Sequence, residues 1–121
     1  AARNRIAKQG LDSALMSNPP LFMTWDDAAR IQIGNLEDDL DKLSECDWIV
    51  EVVVENLKVK KDLLARVEKV RKPGSVVSTN TSGIPLQSMS ADLGSEFRQH
   101  RFKGVAQLRQ RLLQQGLLLV R

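Results

Sequence analysis

The sequence predicts an α/β protein built on a small parallel sheet, and three observations carry that expectation. Residues 48–54, WIVEVVV, form a nearly continuous apolar run of strand length, rich in β-branched residues, as a strand covered on both faces requires. From Asn56 the apolar period turns helical, and after Lys72-Pro73-Gly74 a second short run, SVVST, returns to strand character. The apolar mass is Val, Leu and Ile, with three Phe, two Trp and no Tyr, which suits packed helices on buried strands better than a β-sandwich.

In chain order, residues 1–17 read as a helix with Ile6, Leu11 and Leu15 near one face and Gly10 weakening its middle. Asn18-Pro19-Pro20 ends it, because the residue before a proline avoids the α region. Ile31-Gln32-Ile33 alternates like a short strand closing at Gly34. Leu36, Leu40 and Leu43 predict a helix over 36–45, with Asn35 as its cap and acids crowding its first turn. Val59, Leu63, Val67 and Val70 place a helix after Asn56, with Leu64 widening its apolar stripe and Lys58, Lys60, Lys61, Arg66 and Lys69 on its wet side. Residues 31–79 thus read strand, helix, strand, helix, strand (βαβαβ). From Arg101 onward, Val105, Leu108 and Leu112 read as the apolar side of a C-terminal basic helix.

At 121 residues the chain fits one domain. One cysteine, Cys46, forms no internal disulfide and reads as a small buried hydrophobe, so a reducing, cytoplasmic setting is expected. No apolar run reaches the roughly 20 residues of a membrane span, and the N-terminus lacks the order of a secretory signal. All fifteen acids lie at or before Glu96, against twelve basic residues there, while six basic residues and no acid follow. This asymmetry sets 101–121 apart from 1–100 and raises a second reading, a non-catalytic module whose basic tail meets nucleic acid or an acidic partner. Phe102 is the one aromatic of that tail, and no nucleic-acid motif accompanies it.

In open parallel sheets ligands sit beyond the carboxyl ends of the strands, beside helix N-termini. Glu55-Asn56 occupies that position for the first apolar run and Asn80-Thr81-Ser82 for the second. With Lys60 nearby, a carboxylate, a carboxamide, two hydroxyls and an ammonium are expected to converge on one crevice. No Cys, His or carboxylate spacing suggests a metal.

VVENLKVKKDLL followed by VVSTNTSGI resembles the 3-hydroxyacyl-CoA dehydrogenase family, in the second half of its NAD-binding domain, over about residues 30–100, with 1–29 as a helical arm. The resemblance implies a partial Rossmann-like fold, NAD as cofactor, an acyl-CoA substrate and, in the intact family, dimerisation. It implies that Glu55 contacts the cofactor and orients a catalytic histidine. Lys60 then contacts NAD, and Ser82 lies between the nicotinamide and the substrate oxygen. Asn80 joins the cofactor-binding set through the same motif, chiefly by shaping the turn. Without the resemblance, Glu55 and Lys60 are also what an ordinary charged helix start offers, and Ser82 what a turn offers.

The sequence departs from the family's pattern at several points. It holds no GxGxxG, and the HFFN segment with its histidine is absent, Val105 standing roughly where that base belongs. His100 precedes that position and is expected to be a surface residue. The chain therefore reads as part of a dehydrogenase, inactive alone, whose sheet edge is expected either to self-associate or to be covered by the N-terminal helix and the tail.

Overall fold

A computed structural model describes residues 2–105 of the chain, which divides after Leu40 into two compact units. The expected basic helix falls largely on 106–121, outside the described residues.

The first unit holds α1 (Arg5–Leu15) and α2 (Trp25–Ala29). Helix α1 stops where Asn18-Pro19-Pro20 forbids continuation. Helix α2 begins at a capping box: Thr24 Oγ1 accepts from the Asp27 N–H, and the Asp27 carboxylate accepts from the Thr24 N–H. Ile31-Gln32-Ile33 is not a strand. Its first amide closes the end of α2 on Ala28 O, and no described strand of this unit stands beside it. The helix expected over 36–45 is also corrected: residues 36–39 are turn, followed by a 3₁₀ helix at Leu40–Glu45. Asn35 caps this turn as expected, its Oδ1 accepting from the Glu37 and Asp38 amides and its carbonyl from the Asp39 amide, while Asp39 Oδ2 accepts from the Asn35 amide; the chain beyond tightens to 3₁₀ instead of continuing as an α-helix. The bend is tight, since a Cβ at Gly34 would lie 2.9 Å from Asp39 Oδ2. No described residue of this unit is buried.

The second unit carries the sheet. Three strands, β1 (Trp48–Glu51), β2 (Val76–Thr79) and β3 (Phe102–Gly104), run parallel in the order β1-β2-β3. Glu51 pairs with Thr79 and Thr79 with Gly104, so all three carboxyl ends reach one rim. Helix α3 (Leu57–Val70) connects β1 to β2, and α4 (Leu86–Ser90) lies between β2 and β3 in the chain. Asn56 starts α3 by accepting the Val59 amide on its Oδ1. Lys72-Pro73-Gly74-Ser75 stops it in a tight turn: Gly74 has φ 85°, and Ser75 N–H returns to Lys72 O.

Strand β3 occupies residues that the charge asymmetry assigned to the tail. Phe102 stacks on Phe97 with ring centroids 5.4 Å apart, and the Arg71 guanidinium lies 5.2 Å above the Phe97 ring. Arg71 also pairs with Glu68 and Glu96, while Arg101 bonds Glu96 and Gly74 O. These contacts fasten the π-helical turn Phe97–Arg101 and the strand after it to the end of α3.

The core is Ile49, Leu63, Leu64, Val67, Val77, Met89, Phe97 and Phe102, each worth about 1.5–3 kcal/mol of burial. Its three strand members, Ile49, Val77 and Phe102, are register partners and share one face of the sheet. Strand β1 alternates, with Ile49 and Glu51 inward, while Trp48, Val50 and, just beyond the strand, Val52 and Val54 remain 47–68% exposed. The expectation of cover on both faces is therefore corrected for β1, whereas β2 is buried at the consecutive positions Val77, Ser78 and Thr79. β-branching marks a strand, whereas burial of both faces needs a second packed layer. Trp48 Nε1 donates to Ser78 Oγ, and Ser78 on β2 is fully buried. Cys46 is half-buried, with its Sγ 3.7 Å from Lys42 O.

Candidate functional site

The rim beyond β1 and β2 is organised by one buried acid, Glu51. It is the single polar residue in WIVEVVV, and a carboxylate on the inward face of a strand must find partners. Its Oε1 accepts from Lys60 Nζ at 2.8 Å and from the Val53 amide at 2.6 Å. Its Oε2 accepts from Thr79 Oγ1 at 2.5 Å. Burial pushes the Glu51 carboxyl up, but the bonds from Lys60, Thr79 and Val53 outweigh that and hold it below the ordinary glutamate range.

Lys60 belongs to the inward face of α3 rather than its wet side. Its side chain is 1% exposed and its ammonium donates to Glu51 and, at 3.1 Å, to Val53 O. A helical stripe read by hydropathy places every lysine outward. This one turns inward because Glu51, nine positions earlier, awaits it.

The β1–α3 loop leaves this anchor at Val53 and carries Glu55 to the surface. Thr81 Oγ1, from the loop after β2, lies 2.5 Å from Glu55 Oε2 and contacts Oε1 as well. A Cβ at Gly83 would stand 3.6 Å from the same Oε2. Thr81 N–H donates back to Thr79 Oγ1 at 3.2 Å, and Asn80 N–H to Glu51 O at 3.0 Å. Asn80 and Ser82 are exposed.

Of the four candidate site residues, Glu55, Asn80 and Ser82 reach the rim, while Lys60 lies beneath it. Asn56 keeps its carboxamide oxygen for capping α3. His100 is exposed on the turn before β3, and Val105 follows the carboxyl end of β3 with no proton to exchange. Glu51 and Thr79 were not singled out as site members in the sequence, while Thr81 was read as one of the two hydroxyls at the crevice without a role of its own. A lone acid inside an apolar strand is the signal that points to the first of them.

Parallel strands that end on one rim in polar loops, beside a capped helix start, are the layout of a nucleotide-binding α/β domain. The chain belongs to the 3-hydroxyacyl-CoA dehydrogenase family, an oxidoreductase family: residues 3–105 match the model of its NAD binding domain. NAD is accordingly the cofactor of this domain. The chain is 46% identical over 98 residues to a Bacillus subtilis protein described as "Probable 3-hydroxyacyl-CoA dehydrogenase", covering 81% of this chain and 12% of that protein. A Deinococcus radiodurans protein of the same description is 45% identical over 102 residues, covering 84% of this chain and 29% of its own length. Among solved structures, the dehydrogenase part of multifunctional enzyme 1 from C. elegans superposes with a TM-score of 0.67 at 30% identity. That superposition covers 84% of this chain and 23% of the other. The chain thus spans less than a third of the relatives it matches. Among the described residues no helix is long and apolar enough to cross a membrane.

Proposed function

We propose that this chain supplies one wall of the NAD site of an enzyme that oxidises 3-hydroxyacyl-CoA to 3-oxoacyl-CoA. The observation that carries the reading is the joining of Glu55 to the Asn80–Gly83 loop at the carboxyl rim of the sheet. NAD, when bound, accepts the hydride from C3 of the substrate. The residues present fit one side of such a group. Glu55 offers an exposed carboxylate to hydrogen-bond donors of the cofactor, Asn80 shapes the turn beside it, and the Ser82 hydroxyl is available to a substrate oxygen. Lys60 supports this wall from beneath by holding Val53 O, which keeps the loop that carries Glu55 in place.

The described residues around the rim offer no histidine to take the substrate's hydroxyl proton, so this polypeptide alone is expected to turn nothing over. NADH titrated into the isotope-labelled chain should bind weakly. It should shift the amides of 53–56 and 80–83, and Glu55→Ala or Ser82→Ala should reduce those shifts. Perturbations confined to other surfaces, or robust reduction of acetoacetyl-CoA by the chain alone, would overturn the proposal.

A further inference from the structure

The geometry points to Thr79 and Thr81 as positioning residues: with Glu51 they form a hydrogen-bonded brace that fixes the Glu55 carboxylate from within the sheet. The brace alternates between the two rim segments. Glu51 ends β1, Thr79 ends β2, Thr81 lies in the loop after β2, and Glu55 lies in the loop after β1. Two polypeptide segments remote in sequence are therefore stitched together twice by side chains, beside the backbone bond from Asn80 N–H to Glu51 O.

The direction of each bond follows from the chemistry of its ends. Glu51, held ionised, can only accept. Thr79 has a single hydroxyl proton and spends it on Glu51 Oε2, so it presents a lone pair to the Thr81 amide. That bond sets the backbone of Thr81, and the Thr81 hydroxyl then donates to Glu55. On the other side, Val53 is held at both polar groups, its N–H by Glu51 and its carbonyl by Lys60. The loop bearing Glu55 is thus fastened at its stem by the buried pair and at its tip by Thr81. An exposed glutamate on a loop would otherwise sample several rotamers, and each would have to be given up on binding.

The importance of the brace for binding rests on Glu55 being the cofactor contact, but the brace itself is tested without any cofactor. Thr79→Val keeps the shape of the side chain and removes both bonds; Thr79→Ser keeps the hydroxyl. In Thr79→Val the Thr81 amide should exchange about tenfold faster, the loss of one hydrogen bond. The Glu55 side-chain couplings should move to rotamer-averaged values, and Thr79→Ser should restore both. Native-like couplings in a folded Thr79→Val chain overturn the brace. If Thr79→Val fails to fold, Thr81→Val decides: averaged Glu55 couplings beside an unchanged residue-81 amide support the last link, and a fixed Glu55 sinks it. A loosened Glu55 in Thr79→Val, together with no NADH response at 53–56 or 80–83 in the parent chain, would uphold the brace while removing the cofactor reading.

Discussion

Lys60 and Glu51, 1% and 3% exposed, form an ion pair whose worth depends on keeping both members. Removing one leaves a buried charge without its counterpart, and Lys60→Met should cost about 3–5 kcal/mol in urea unfolding. The double change Glu51→Leu with Lys60→Met should cost less than Lys60→Met alone, because no orphan charge remains. The pair also sets a pH response. Folding lowers the Glu51 carboxyl below its ordinary value of 4.5, so the unfolded chain takes up that proton at a higher pH than the folded one. The stabilisation is full above that ordinary value and is lost as pH falls through the folded one. Urea midpoints should therefore drop in acid below about pH 4.5, and Glu51→Gln should flatten that drop. Glu96 is held low too, through its bond from Arg101, but it is exposed, so Glu96→Gln serves as the control. Sequence patterning found Lys60 and assigned it to water, since its inward turn is legible only with Glu51 taken as its partner.

Among the elements, β1 shows a bare apolar row. Val52 and Val54 are 68% and 67% exposed and continue the outward side of Trp48 and Val50. Such a row beside a strand edge that is unpaired among the described residues invites association between copies. Val52→Lys with Val54→Lys should lower concentration-dependent light scattering while leaving the unfolding midpoint nearly unchanged; unaltered scattering would count against this face. Helix α3 and strand β2 were plain in the sequence, because a 3.6-residue stripe bounded by Asn56 and Pro73-Gly74 admits little else. Several elements were not legible as read, α4 among them, since Leu86–Ser90 is too short to show a period. Helix α2 was missed although Thr24 and Asp27 spell a capping box, the run being too short to show a period. The strand expected at Ile31–Ile33 had alternation but no neighbour. Strand β3 is three residues within a basic stretch, and its place depends on Phe97 and Arg71, which no local pattern connects to it.

At the scale of the whole molecule, the two units differ in how they are held. The second has an apolar core, whereas the first rests on hydrogen bonds and ion pairs at partly exposed positions, such as Arg3 with Asp38 and Asn35 with Asn4. Exposed ion pairs contribute about 0–1 kcal/mol each, too little to replace a core. Amides of α1 should therefore exchange through low-energy local opening while those of Leu63–Val67 and Val77–Thr79 approach the global limit. Equal protection in both units would refute this. The division has a practical corollary in the two indoles. Trp25 belongs to the first unit and Trp48, bonded to Ser78, to the second. Replacing either one by Phe leaves a single intrinsic fluorophore, so the chain carries a separate optical gauge for each of its halves.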